Sequence, residues 1–524
     1  MKAFLMYRDR DFDPNPSLRE EMGRRDGKSD WRQQLPQHER ALVQDLELDT
    51  LLEAMAAGDA FLLNVARKAL LSGFQSDVDT VLYRQQALTD CLKNPEPTRT
   101  LYDLTVQTIE ASRKHFWGLS SHYPGSLLYN AIELLESLLE NLKQVRKFAQ
   151  EKLSNFESEA FRTLFAMIAK ELDDEYLGTI RNYLSDLKFR RGVLFTAELG
   201  EWNESTNYVL RLVRGKDPTW FQRLFGRKRP GYTFQLHERD EAGARILGDM
   251  RHRAISRVAI ALAQSADHVL SFFLMLRKEL AFYVACLNLH DRLAAKQEPM
   301  CFPVPEPTGS RRHSSSGLYD VCLSLRMEGR VVGNSLAADG KNLVVITGAN
   351  QGGKSSFLRG IGLAQLMMQC GMFVGADAFR AELCPKLLTH YKREEDATME
   401  SGKLDEELAR MNEIANLLGP NSMVLFNESF AATNEREGSE IARQIVFALL
   451  EKRVKIFFVT HLYEFARGLF ERNINEDLFL RAERLADGTR TFRLLEGEPL
   501  ETSYGEDLYK EIFAAEPMEL SANR

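Results

Sequence analysis

The stretch Gly348-Ala349-Asn350-Gln351-Gly352-Gly353-Lys354-Ser355 matches the pattern G-x-x-x-x-G-K-S/T. Residues of these types at this spacing bind phosphate. The glycines let backbone N–H groups converge on phosphate oxygens, the lysine reaches the β- and γ-phosphates, and the serine hydroxyl ligates Mg2+. Gly348, Asn350, Gly352, Gly353, Lys354, Ser355 and Ser356 are therefore the candidate nucleotide-binding residues, and ATP with Mg2+ is the implied cofactor pair. The apolar run LVVI (343–346) precedes the loop and SSFLRGIGLAQLMMQ follows it. The motif thus lies between a strand and a helix N-terminus, whose partial positive charge favours anions.

Two more apolar runs end in residues fit for hydrolysis. MVLF (423–426) delivers Asn427 and Glu428, and KIFFV (455–459) delivers Thr460 and His461. Strand ends of this kind gather at the carboxyl edge of a parallel sheet, where ligands bind. Glu428 is the candidate to orient and polarise the attacking water. Ser355, and Asn427 through water, are the candidates to hold Mg2+. A histidine after a strand is more often structural, but third in this series His461 is placed to sense the γ-phosphate.

These strands need a sheet to carry them. Beyond the Pro/Ser/Gly-rich connection 302–317, short β-rich runs alternate with helical segments, which implies a parallel sheet covered on both faces. Before it, from about 45 to 296, the pattern is mainly helical. Leu128, Ile132, Leu135, Leu139, Leu142 and Val145 recur at three- and four-residue steps, with Phe148 next, as one apolar stripe on a long helix. Residues 250–297 contain no Gly or Pro and predict a second long helix or a closely packed pair. An insert with β-type stretches interrupts the bundle over 191–216. Residues 1–38 are polar, charged and punctuated by Pro and Gly, and are expected to form a flexible extension.

The totals set bounds on function. A chain of 524 residues has room for about two to four domains. With 44% hydrophobic and 27% charged residues it is an ordinary soluble mixture. Nearly apolar runs such as 269–276 fall short of the roughly 18 residues of a membrane helix, and the mixed-charge N-terminus is unlike a signal peptide, so no membrane partner is expected. The six cysteines form no CxxC pair, which suggests neither a zinc site nor a disulfide framework and makes a reduced cytoplasm the simplest location. A net charge of −7 confers no general attraction to nucleic acid, so any basic footprint must be local. The best local candidate is Arg211, Arg214, Lys216, Arg223, Arg227, Lys228 and Arg229, interleaved with Trp220, Phe221 and Phe225. The same stretch reads equally as a solvated loop whose aromatics cap the bundle.

The region 343–505 resembles the ATPase domain of the MutS family of DNA mismatch-repair proteins, within the wider ABC-type ATPase class. TGANQGGKSSFLR resembles the family's phosphate loop, VVGNSL (331–336) its lead-in, and GMFVGADAFRAELCPKLLTHY its following strand segment. EDATMESGKLDEELARMNEIANLL resembles the serine-glycine signature helix, FFVTHLYEF the histidine switch and TSYG (502–505) the closing motif. Upstream, 45–88 resembles the start of the family's helical core and lever. The resemblance implies that Ser401 and Gly402 complete a partner subunit's nucleotide site. With the lever-like region beginning near Asp45, the mismatch-reading and connector domains are expected to be missing, and a DNA clamp is left only about 191–245. Leu404 and Asp405 stand where the family usually has Ser-Thr. Asn427 replaces the Asp whose charge usually steadies the Mg2+ water shell. A hydrogen bond to a charged group is worth roughly 1.5–3 kcal/mol against about 1 for a neutral one, which predicts weaker metal hold and slow turnover. Glu428 is retained, so the expectation is a slow ATPase rather than a dead one.

The combined expectation is a multidomain chain. A flexible 1–38 leads into an α-helical core/lever region over 39–300, with a short clamp-like insert near 191–245. An α/β ABC-type P-loop ATPase domain follows over 301–524. It would act as a homodimer whose ATP binding and slow hydrolysis are coupled to DNA that is mismatched or structurally irregular, as in DNA repair, with Arg223, Arg227, Lys228 and Arg229 as DNA contacts. The alternative is a nucleotide-gated dimeric scaffold that binds protein partners without a direct DNA role. A transporter's ATPase subunit fits less well, because lever-like and MutS-type segments flank the phosphate loop.

Overall fold

The computed structural model describes residues 1–12, 22, 35–190, 192–202, 204–211, 234–393, 402–485 and 489–500. Its first part is helical: α1 (Gln37–Asp45), α2 (Leu48–Ala56), α3 (Ala60–Ser72), α4 (Val78–Lys93), α5 (Pro95–Phe116), α6 (Pro124–Lys152), α7 (Glu159–Glu171) and α8 (Asp174–Leu187). Local chemistry sets the starts. Asp59, Asp77, Ser158 and Asp173 accept first-turn amides of α3, α4, α7 and α8, while Pro95 and Pro124 open α5 and α6, where a missing N–H costs nothing.

The apolar stripe lies on α6, with Leu128, Ile132, Leu135, Leu139, Leu142 and Val145 all buried. Its main partner is α9 (Glu241–Ala295), one continuous helix of 55 residues and about 80 Å, so the second long segment is not a packed pair. Asp240 caps it through Gly243 N at 2.9 Å. By length and composition α9 is long and apolar enough to cross a membrane, a feature not evident from its short uninterrupted apolar runs. In this fold α9 packs against α5 and α6, and Leu270, Phe273, Leu276 and Leu280 are fully buried. Within the insert, β1 (Leu194–Leu199) and β2 (Ser205–Arg211) form an antiparallel hairpin.

Of the extension expected to be flexible over 1–38, residues 13–21 and 23–34 lie outside the described residues, but the first residues are packed. Ala3, Leu5 and Met6 are fully buried. The carboxylate of Glu279, deep in α9, accepts Leu5 N at 2.7 Å and Met6 N at 3.2 Å, and Tyr283 Oη and Arg84 Nε donate to Leu5 O and Met6 O. The segment MKAFLMY is itself apolar, and buried polar groups more than 70 residues away satisfy its backbone.

The second part is built on two sheets. A six-stranded sheet has the order β12-β11-β6-β10-β9-β8, from β6 (Leu343–Thr347), β8 (Leu387–Tyr391), β9 (Met423–Asn427), β10 (Lys455–Val459), β11 (Asp477–Arg484) and β12 (Arg490–Glu496). All neighbours are parallel except β11 and β12. LVVI, MVLF and KIFFV are its fully buried centre. Alternation along the strands makes two apolar faces. Val344, Leu425 and Phe457 face the core shared with α11 (Lys354–Gln369) and the helical part. Val345, Val424 and Phe458 face α12 (Lys403–Leu417), α13 (Glu435–Glu451) and α14 (Tyr463–Phe470). A second, four-stranded sheet, β3-β7-β4-β5, was not anticipated. It joins β3 (Val304–Glu306), β4 (His313–Leu318), β5 (Asn334–Ala337) and β7 (Ala378–Glu382), with α10 (Val321–Arg326) between β4 and β5. Its strands are short and far apart in sequence, so no local period announces them.

The two parts share an ionic joint. Arg359, on α11, pairs with Glu47 ahead of α2 and with Asp320, whose Oδ2 lies 2.5 Å away.

Candidate nucleotide site

The segment 348–355 forms the turn from β6 to α11. Gly348 (φ 110°) and Gly353 (φ 87°) take left-handed backbone conformations. A Cβ on Gly348 would stand 2.8 Å from Ala482 N of the neighbouring β11, and one on Gly352 2.7 Å from Ala482 Cβ. The loop therefore needs glycine for conformation at one place and for room at another. Gly353 is the N-cap of α11 and no side chain caps that end, which presents the first-turn amides to the loop. Lys354 is buried, and its Nζ donates to Gly348 O at 2.8 Å and Ala349 O at 2.9 Å. Burial pushes its pKa down to about 8, against the opposing pull of Glu428.

A cavity of about 470 Å3 opens over this loop. Asn350, Gly352, Gly353, Lys354, Ser355 and Ser356 all line it, together with Glu428. Leu323, Met327, Val332 and Phe492 supply an apolar wall. Asn334 holds that wall in place, donating to Phe492 O at 3.0 Å and accepting Leu494 N at 2.7 Å. No residue pattern marked Phe492; the only signal for Asn334 was its place in VVGNSL. Gly348 lines a neighbouring cavity of about 550 Å3 with Thr460 and His461.

Strand register brings the remaining candidates to the same edge. Ile346 is level with Val459, and Val459 with Asn427, so β6, β10 and β9 end together. Ser355 Oγ, in the first turn of α11, donates to Asn427 Oδ1 at 3.0 Å. Glu428 Oε1 lies 2.8 Å from His461 Nε2. The His461 hydrogen bond is the largest of the influences that hold the Glu428 carboxyl below the usual range; burial opposes it and Lys354 assists. An ionised carboxylate only accepts, so Nε2 is the protonated ring nitrogen.

The other candidates fall elsewhere. Gly402 is the N-cap of α12, which packs on the edge strand β8. Three strand spacings separate β8 from β6, about 14 Å. Ser401, Arg214, Lys216, Arg223, Arg227, Lys228 and Arg229, along with Trp220, Phe221, Phe225, the segment 395–400 and TSYG (502–505), lie outside the described residues.

Comparison with known proteins gives two matches to family models: residues 76–296 to the MutS2 N-terminal domain and residues 344–519 to MutS domain V. The DNA mismatch repair protein MutS of Syntrophomonas wolfei is 31% identical over 194 residues, 36% of this chain and 22% of that protein. MutS protein homolog 4 of Mus musculus is 21% identical over 473 residues, 85% of this chain and 46% of that protein. Endonuclease MutS2 of Thermus thermophilus is 34% identical over 132 residues, 25% of this chain and 18% of that protein. The chain spans less than half the length of each of these relatives.

Proposed function

The chain belongs to the MutS family, and we propose that it is an ATP-dependent DNA-binding protein of that family, coupling ATP binding and slow hydrolysis to recognition of mismatched or structurally irregular DNA. MutS domain V is an ATPase domain, so nucleotide binding follows from membership. The observation that carries the hydrolytic reading is the Glu428–His461 pair beside the cavity lined by Lys354 and Ser355.

In this reading the loop amides and Lys354 hold the phosphates, Lys354 exchanging its two loop carbonyls for phosphate oxygens. Glu428, ionised and oriented by His461, takes the proton of the attacking water. Ser355 Oγ and Asn427 Oδ1 are hard oxygen donors on one edge and suit Mg2+, which when bound offsets charge on the β- and γ-phosphates. Asn427 contributes no charge to that shell, which is the reason for slow turnover.

Gly402 heads α12, which packs on the edge strand β8, three strands from β6 in the sheet. This supports a homodimer in which the signature of one subunit meets the nucleotide of the other. Two-fold pairing then makes two equivalent sites.

The second reading is a nucleotide-gated scaffold. It is favoured by the net charge of −7 and by Tyr123 and Tyr129, exposed by 71% and 61% near the start of α6. The deciding experiment is binding to duplex, mismatched, branched and single-stranded DNA at physiological salt, with and without ATP, using wild type and Glu428→Gln. ATP-dependent retention on one class of DNA supports the first reading; no retention on any of them leaves the scaffold.

A further inference from the structure

We propose that Glu407 is a positioning residue for Glu428: its buried carboxylate pins the loop that aims the catalytic carboxylate. The inference rests on the reading of Glu428 as the base. Glu407 touches no reacting atom and acts through the backbone two residues beyond Glu428.

The loop needs a pin. Glu428 has φ 54° and Phe430 φ 63°, left-handed states that residues with a β-carbon disfavour. Such a turn persists only where its surroundings over-determine it, and here four elements do so. Glu428 N donates to Val459 O of β10 at 2.9 Å. Ser429 Oγ donates to His390 O of β8 at 2.6 Å and lies 2.7 Å from His390 Nδ1. Phe430 N donates to Glu407 Oε2 of α12 at 3.0 Å. The Phe430 ring stacks on His390, with centroids 5.2 Å apart, and a Cβ on Gly438 would stand 2.4 Å from Phe430 O, so α13 closes the other side.

Glu407 is the unusual member of this set. It is only 2% exposed, and its second oxygen, Oε1, is buried with no hydrogen-bond partner among the described residues. An apolar side chain would fill the same space without desolvating a carboxylate, but it would leave Phe430 N–H unpaired. The backbone of Glu407 is fixed in turn, its carbonyl lying 3.0 Å from His390 Nε2. The pin therefore belongs to α12, the helix headed by Gly402.

The test compares wild type, Glu407→Ala, Glu407→Gln and Glu428→Gln for steady-state ATP turnover, and for hydrogen exchange of the Phe430 amide without nucleotide. Glu407→Ala is expected to lower kcat about tenfold with KM for ATP within about twofold, and to speed Phe430 exchange at least about tenfold. Glu407→Gln keeps an acceptor oxygen and should restore most of both. If Glu407→Ala does not fold, Glu407→Leu, which fills the space without an acceptor, decides. Unchanged exchange, or faster exchange with unchanged kcat, overturns the proposal. Hydrolysis that survives Glu428→Gln overturns the base assignment instead, and the nucleotide-free exchange rates still report whether Glu407 anchors the loop.

Discussion

Ser355 Oγ donates a hydrogen bond to Asn427 Oδ1 at 3.0 Å, joining the first turn of α11 to the end of β9 across 72 residues of sequence. The two oxygens expected to serve Mg2+ are therefore in register, and the departure at Asn427 is one of charge, not of placement. Asn427→Asp is expected to lower the Mg2+ concentration needed for both ATP binding and turnover. It should raise the rate about tenfold if roughly 1.4 kcal/mol of transition-state stabilisation is recovered. Nucleotide affinity and kcat measured across a Mg2+ series check this. A slower Asn427→Asp at every Mg2+ level would mean that the site is tuned around Asn, the added charge having raised the pKa of Glu428.

The Glu428–His461 contact predicts a pH effect with a definite sign. The His461 hydrogen bond is the largest factor holding the Glu428 carboxyl low, so His461→Ala lets its pKa rise. A base works above its pKa, so the acid limb of the kcat profile should move to higher pH. Turnover near neutrality should fall by about tenfold or more, with little change in KM for ATP. Glu428→Gln should keep ATP binding and lose roughly 100-fold or more in kcat. An acid limb that stays put in His461→Ala would remove His461 from this role.

Lys354 lines the first cavity, as Arg330 does, and is hydrogen-bonded to the loop beneath it. Lys354→Ala is expected to weaken ATP binding by at least about 100-fold, because charge-assisted bonds to phosphate are lost. The fold should survive, since removing the lysine also relieves its burial. Nucleotide titration together with a thermal melt separates the two effects, and normal ATP affinity in a folded variant would sink the assignment.

Glu279 sets a pH dependence of stability at the N-terminal segment, through its bonds to Leu5 N and Met6 N. Burial, the largest cause, raises its pKa from 4.5 to about 7, partly opposed by the Leu5 and Met6 amides. A carboxyl raised in this way binds its proton more tightly folded than unfolded. Its contribution is full below about pH 4.5 and is lost as pH rises through about 7, on the order of 3 kcal/mol in all. Burial of His390, with its pKa lowered to about 4, acts oppositely as pH falls below about 6.5. The clean measurement is therefore the difference between wild type and Glu279→Gln in unfolding midpoint from pH 5 to 8. The variant should gain on wild type toward pH 8; parallel curves would refute the assignment.

What the sequence determined by itself was whatever depends on near neighbours. Strand, glycine turn and helix around Lys354, the stripe from Leu128 to Val145, and the apolar runs that end at Asn427 and Thr460 follow from residue type and period within a few turns of chain. Tertiary structure decided what depends on partners far along the chain. The strand order β6-β10-β9 sets Asn427 against Ser355 and Glu428 against His461. The expected flexibility of the first residues failed because Glu279, more than 270 positions away, binds their amides. The four-stranded sheet was invisible because its strands are four to six residues long or shorter and pair across intervening helices. Glu407 reads in sequence as one more acid on a charged helix, and only the packing of α12 on β8 makes its carboxylate the partner of Phe430 N–H. Period and propensity act over a few residues, whereas the pairing of a buried donor with its acceptor is settled only when distant segments pack together.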